Sequence, residues 1–573
     1  MKISGAEMFV KALLAEQVDT LFAYPGGQAI DLFHALYGVE GIRVVLPRHE
    51  QGLVHAADGY ARSTGKTGVC LVTSGPGATN LVTGIATANY DSVPLVCFTG
   101  QVPTGLIGKD AFQEVDIVGI TRSICKYAVT VRNRDKLPAI IKKAFYIARS
   151  GKPGVVVVDL PKDIQQAPGS DCYPDRIEVR GYRPNTAVHM GQLKKAAECL
   201  KRAKRPVFLL GGGVHIAHAN EAMTALVQKT GVPVVTTIMG KGAVSTDHPL
   251  YVGNLGVHGS YAANQAVSEC DVLFSIGVRF NDRITGRISE FAKKAVIIHV
   301  DIDPASISRN IAVDIPIVAD AKNAVLALAE KVPALQFPDW QAQINVWKRE
   351  HPLLVPQKSL SGVTPFAVIQ EINRLFDQAV ITTDVGQNQL WATQYLEITS
   401  NKKLLTSGGL GTMGYGFPAA LGAKLGNPDK HVITICGDGG IQMNIQELAT
   451  AVVYELPVIV CILNNGYLGN VRQWQEMFYD RHYSSTCMRW RKSCPAACSK
   501  PSEGCPEYTP DFVRLAESYG AKGIRVERFE CQTAHCGRCK PHFDFGGNTS
   551  PIVPYRHLPQ ALRGLTADCR SLV

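Results

Sequence analysis

The chain has 573 residues, 46% of them hydrophobic and 19% charged, with a formal net charge of +10 at pH 7. That length exceeds a single hydrophobic core and implies about three domains of ordinary size. Lys and Arg are spread without a dense tract, which argues against nucleic acid as a partner, and no apolar run is long enough to cross a bilayer.

The first residues, Met1 to Glu7, enter an amphipathic helix directly. They lack the apolar core of a signal peptide and the Arg/Ser richness of a transit peptide, so a bacterial or archaeal cytoplasm is expected. Of sixteen cysteines, eight follow residue 480. The others sit mostly in apolar runs, where a free thiol behaves as a small core residue.

From residue 1 to about 180, short apolar runs alternate with helical patterns. Thr20–Ala23, Arg43–Leu46, Gly68–Thr73, Pro94–Thr99 and Gly154–Asp159 read as strands, the alternation of a doubly wound parallel sheet. A polar stretch, Gln165 to Asn185, reads as a linker. A second α/β unit, residues 190–335, has candidate strands Pro206–Leu210, Val232–Thr236, Val272–Ile276 and Val296–Asp301. A second linker is expected from Pro333 to Thr364. A third unit, residues 364–530, carries Ala379–Thr383, Val432–Cys436 and Val458–Leu463. The expected fold class is therefore α/β, with three doubly wound parallel-sheet domains and an atypical Cys-rich tail at 531–573.

Three places in this frame carry chemistry. Arg48-His49-Glu50-Gln51-Gly52 follows a strand and opens a helical pattern, Leu53–Arg62. Glu50 there is either a proton-transfer carboxylate or an acid that complements the helix dipole. Thr73 to Asn80 runs from a strand through Gly75-Pro76-Gly77 into a helix start. Such a loop presents backbone N–H groups to a flat or anionic ligand, or is a plain strand–helix turn. In the third unit a strand ends in Gly437-Asp438-Gly439-Gly440, and the next ends in Asn464-Asn465. One crossover helix between parallel strands suits that spacing and brings both polar ends to one sheet edge. Asp438, the Asn465 side chain and a backbone carbonyl near Tyr467 then offer hard oxygen ligands for Mg²⁺, beside glycines that admit a diphosphate.

Together these segments resemble the catalytic large subunit of acetolactate synthase, a family of thiamine-diphosphate enzymes. The resemblance spans about residues 1–530 and rests on Tyr24-Pro25-Gly26-Gly27, RHEQGLVHAADGYAR at 48–62 and SGPGATN at 74–80. It extends through KDAFQE at 109–114, GGLGTMG at 408–414, Gly437–Gly439 and NNGYLGNVRQW at 464–474. It implies that Glu50 hydrogen-bonds the aminopyrimidine ring, and that pyruvate is decarboxylated and joined to a second 2-keto acid. Tyr24, Pro25, Gly26, Pro76, Gly77 and Asn80 would meet the cofactor's pyrimidine end. Val385, Gly386, Gln387, Asn388, Gly411, Met413 and Leu468 would join Gly437–Gly440 around its diphosphate.

In the middle unit Gly256-Val257-His258-Gly259, Ile276 to Arg283, and Asp301-Ile302-Asp303 resemble the FAD-binding stretches of the same family. Arg279 and His258 would meet phosphates and flavin, and Asp301 and Asp320 ribose and adenine. Gly211, Gly212, Gly213, Thr236, Val257, Gly277, Ile302 and Lys152 complete the expected FAD set. Arg283 is expected to grip the acceptor carboxylate in a bidentate fork. Trp474 is expected to shape the acceptor pocket, with Gln113 and Lys162 also in the active site. The implied partners are two keto acids, a second copy in a homodimer or homotetramer, and a small regulatory subunit.

Lys152 stands where many relatives have Arg, and Asn470 where Met is frequent. The larger departure follows Tyr479, where Cys487, Cys494, Cys498 and Cys505 interrupt the pattern, and again after Val526. Cys531, Cys536, Cys539 and His542 there suit a zinc or iron–sulfur site, a labile disulfide, or a tail that has lost the family's coding. A pyruvate oxidase, another carboligase, or a catalytically impaired paralogue are the competing functions.

Overall fold

The computed structural model describes residues 2–353, 363–495, 498, 505–506 and 509–527. Cys531, Cys536, Cys539 and His542 lie outside them. The first unit contains β1 (Lys2–Ile3), β2 (Thr20–Ala23), β3 (Arg43–Val45), β4 (Gly68–Val72), β5 (Leu95–Gln101), β6 (Tyr127–Thr130), β7 (Val155–Pro161) and β8 (Gly169–Ser170). Six of these form a parallel sheet in the order β3-β2-β4-β5-β7-β6. The second unit holds β9 (Pro206–Leu210), β10 (Val234–Thr236), β11 (Tyr251–Asn254), β12 (Val272–Ile276), β13 (Val296–Asp301) and β14 (Ile315–Val318), ordered β11-β10-β9-β12-β13-β14. The third holds β15 (Ala379–Thr383), β16 (Lys402–Leu405), β17 (His431–Gly437) and β18 (Val458–Leu463), ordered β16-β15-β17-β18.

The three larger sheets are parallel, as expected of an α/β protein. Their central strands are buried on both faces, which is why they read as unbroken apolar runs. β4, β5, β7, β9 and β12 are buried at every position.

Both linker readings are corrected in part. Within Gln165 to Asn185, Gly169–Ser170 pairs antiparallel with Lys2–Ile3. Within Pro333 to Thr364, residues Pro338–Glu350 form a helix. Trp340 and Ile344, one turn apart, are buried in the middle core, and Trp340 donates to the Pro206 carbonyl at 3.1 Å. Their helical spacing was hidden among seven polar or charged neighbours, so the stretch read as solvated.

The first and third units meet through two helices, Glu50–Thr64 and Gly416–Gly426. Glycines set their distance. A Cβ at Gly59 would lie 2.0 Å from the Ala419 carbonyl oxygen, and one at Gly422 1.8 Å from that of Ala56. Backbone therefore rests on backbone.

Candidate active site

The Asp438 and Asn465 ends meet as the strand register requires. β17 and β18 pair with Gly437 opposite Leu463, so the residues after both emerge at one edge. Gly466, at φ 72°, turns the chain so that its N–H donates to Asp438 Oδ2 at 3.0 Å. Asn465 Oδ1 accepts from Tyr467 N at 3.0 Å, and its Nδ2 reaches Gln387 Oε1 at 3.3 Å. Asp438 is 1% exposed, and burial pushes its carboxyl above the usual range, opposed by nearby backbone N–H groups. A buried carboxylate beside an amide oxygen is a donor set suited to a hard divalent cation.

The neighbouring cradle is made of glycines. A Cβ at Gly439 would come within 3.0 Å of Leu468 Cδ2 and 3.6 Å of Met413 Cε, while Gly411, at φ 73°, faces open space. Gly386 takes φ 133° at the start of the helix Gln387–Tyr395. Asn388 is buried and donates to the carbonyls of Asp384 and Ile435. Met413, Leu468, Gly439 and the Gln387–Asn465 pair are thus brought together. The segment after the Phe478 helix end closes this edge: Leu468 N donates to Thr486 O, Met488 N to Gly466 O, and Cys487 bridges Tyr467. Arg489 Nη2 donates to the Tyr467 hydroxyl at 3.1 Å.

At the edge of the first sheet, Glu50 opens its helix, with His49 as N-cap. Asn80 donates to Glu50 Oε2 at 2.9 Å, and Glu50 Oε1 lies 3.5 Å from where a Cβ at Gly77 would stand. Gln113, at φ 59°, packs on Gly75, at φ 58°. Lys162 donates to the Gly27 carbonyl at 2.9 Å, and Gln28 N donates to Thr73 Oγ1, fixing the Tyr24–Gly27 loop. Among the described residues, no hydrogen bond or ion pair joins Glu50 or Asn80 to the Asp438–Asn465 edge.

The middle unit carries a cavity of about 1800 Å³ that reaches the other two. Gly212, His258, Arg279, Asp301 and Asp320 line it, and so do Val385, Gly411 and Trp474 of the third unit. Gly211 and Gly213 lie against Gly277, at φ 63°, so closely that a Cβ on Gly211 would come within 2.1 Å of its carbonyl oxygen. Backbone there rests directly on backbone. Lys152 pairs with Asp303 at 3.1 Å, and burial raises Asp301 to about 6. Burial, with the Arg283 charge second, lowers the His258 pKa. Asp320 caps the helix Ala321–Lys331 through Asn323 N. The Arg283 guanidinium stacks 5.2 Å above the Trp474 ring, joining two residues 191 positions apart in the sequence. Val257 is 65% exposed. Thr236 turns away: its Oγ1 meets the Tyr251 hydroxyl, and Thr237 lines the cavity instead, as alternation along a strand demands.

Three residues absent from the expected set organise these regions. Asp384, 1% exposed, accepts from the N–H groups of Val385, Gly414 and Gly416, and burial raises it to about 6. Glu447, fully buried, accepts from Arg48 N and His49 N, just before Glu50. Asp91 is approached from all three units, by Arg62, Gly408 and Arg279. Asp384 ends a strand just as Asp438 does, so the same signal was available for it.

Comparison with known proteins agrees with this arrangement. Residues 3–120 match the thiamine pyrophosphate enzyme N-terminal TPP binding domain, residues 193–328 the central domain, and residues 384–538 the C-terminal TPP binding domain. A probable acetolactate synthase large subunit of Methanococcus aeolicus is 46% identical over 551 residues, covering 92% of this chain and 88% of that one. The acetolactate synthase isozyme 3 large subunit of Escherichia coli K12 is 46% identical, covering 91% and 90%. The chain belongs to the acetolactate synthase large-subunit family. A third member, from Haemophilus influenzae, is 44% identical over 92% of this chain. As a member of that family, this is a thiamine-diphosphate-dependent enzyme. No described helix is long and apolar enough to cross a membrane.

Proposed function

We propose that the chain joins pyruvate to a second 2-keto acid, pyruvate or 2-ketobutyrate, with loss of CO₂, in branched-chain amino-acid synthesis. The stack of Arg283 on Trp474, at a cavity that also meets Val385 and Gly411, supports this most directly. A guanidinium fork matches an acceptor carboxylate, and the indole bounds the space beside it. Thiamine diphosphate, when bound, supplies the electron sink.

The chain's own residues orient and hold. Asp438, Asn465 and the Tyr467 carbonyl would hold Mg²⁺, with the diphosphate among Val385–Asn388, Gly411, Met413 and Leu468. Tyr24–Gly26, Pro76 and Gly77 would border the pyrimidine. Glu50, steadied through Oε2 by Asn80, would hold a proton at the ring nitrogen. Gln113 and Lys162 would flank the reacting carbonyl. FAD would fill the middle cavity against Gly211–Gly213, Gly277 and Arg279, with a structural role, because the condensation transfers no net electrons. Lys152, Asp301, Ile302 and Asp320 would meet its adenosine half.

Among the described residues no hydrogen bond or ion pair joins Glu50 to the Asp438 edge, an arrangement that suits sites completed by a second copy, in a homodimer or homotetramer. A small regulatory subunit is a further partner, and the cytoplasm the expected compartment. The test is direct. Purified protein with pyruvate, thiamine diphosphate, Mg²⁺ and FAD should form acetolactate. No product from protein with cofactor bound would sink this reading, and flavin bleaching by pyruvate would indicate an oxidase. Glu50→Gln should lower turnover at least about 100-fold, in the range of general acid–base catalysis, while diphosphate binding persists.

A further inference from the structure

Asp91 lies just past the helix Val82–Tyr90 and is approached by residues of all three units. Its side chain is fully buried. From the first unit, Arg62 Nη2 pairs with Oδ2 at 3.0 Å. From the third, Gly408 N donates to the same oxygen at 3.2 Å. From the middle unit, Arg279 Nη2 approaches the other oxygen, Oδ1, to 3.7 Å. That oxygen is buried and has no hydrogen-bond partner among the described residues.

Gly409 closes the junction. A Cβ there would lie 2.6 Å from Asp91 Oδ1 and 2.9 Å from Arg279 Nη2. One helical turn earlier, the Thr87 and Thr412 hydroxyls meet at 2.6 Å. Asp91 and Thr87 thus form two rungs that seat the 408–412 loop on the helix. Gly411 lies between those rungs, and Met413, directly after the second, reaches toward Gly439.

We infer that Asp91 is a positioning residue that couples the dinucleotide cavity to the thiamine loop, so that occupancy of the first tightens the second. The inference rests on the proposed FAD site. A guanidinium presents five donors in a rigid fork and can serve a phosphate and a carboxylate together. A phosphate held by Arg279, whose side chain is 35% exposed, immobilises the fork beside Oδ1 and completes the partner set of Asp91. Gly408 and the loop after it are then held in one position. Such coupling is reciprocal: thiamine diphosphate tightens the flavin nucleotide by the same factor. It assigns to a redox-idle flavin a reason to be present.

The experiment titrates thiamine diphosphate at saturating Mg²⁺ into apoprotein with and without FAD, read by tryptophan fluorescence. FAD binding is measured separately by its absorbance shift. Wild type should bind thiamine diphosphate about 5- to 20-fold tighter with FAD, within the usual span of coupling between sites. In Asp91→Asn the ratio should fall to near one while FAD still binds. Gly409→Ala, which crowds Asp91 and Arg279, should weaken FAD and also bring the ratio, measured at saturating FAD, near one; it serves where Asp91→Asn does not fold. A merely structural role would change affinities without changing their ratio. A full ratio in either folded variant overturns the inference, as does a ratio of one in wild type with FAD bound. If wild type takes up no FAD at all, the proposed FAD site itself fails, and the coupling with it.

Discussion

His55 is wholly buried in the helix Glu50–Thr64, edge-on to Tyr415, and neither ring nitrogen has a hydrogen-bond partner among the described residues. Burial, with the Arg62 charge second, lowers its pKa to about 3. An unfolded chain protonates this imidazole near pH 6.5, whereas the folded one resists until about 3. The folded state therefore binds fewer protons in that window. Its stability is full above pH 6.5 and is lost as pH falls, by up to about 1.4 kcal/mol per pH unit. His55→Leu should flatten this dependence: the fall in urea midpoint between pH 7 and pH 5 should be smaller than in wild type, and an equal fall would refute the assignment. At this scale the sequence was most readable where a residue stands at a strand end. Asp438, Asn465 and Glu50 were singled out by that rule. Asp91, Glu447 and Arg62 were not, because their partners come from other units and no local pattern announces them.

Among the elements, legibility follows burial. β2, β9, β12, β13, β15 and β18 have the bounds expected of them. The unrecognised strands of the three sheets, β6, β11, β14 and β16, all stand at sheet edges. An edge strand is covered less completely and needs no unbroken apolar run. β6 is half-buried throughout, and β16 begins Lys402-Lys403. The close helix crossing was hidden for a different reason, since a glycine in a helical pattern reads as a weakness and not as a contact. Gly422→Ala forces a methyl into the Ala56 carbonyl. It should destabilise the protein by about 1–3 kcal/mol or more, as overpacking does, seen as a lower denaturant midpoint. An unchanged midpoint would show that the two helices can part freely.

Across the whole molecule, the parts expected to act on the cofactor are held by carboxylates reaching between units. Glu447 of the third unit fixes the backbone at Arg48 and His49, and so the height of Glu50. Glu447→Ala leaves those half-buried N–H groups without their acceptor, at about 1 kcal/mol. Turnover should fall while thiamine-diphosphate affinity stays nearly constant, because Glu50 shifts and the Asp438 edge does not; the reverse pattern would place Glu447 in cofactor binding instead. Leu46 N and the Tyr454 hydroxyl make a neighbouring contact across 408 positions of sequence. A ribosome working at about 5–20 residues per second needs on the order of tens of seconds to bridge such a gap. Throughout that interval the glycine-lined face of the helix Glu50–Thr64 waits for its partner helix. The nascent first unit therefore emerges with its docking surface bare until the third unit arrives.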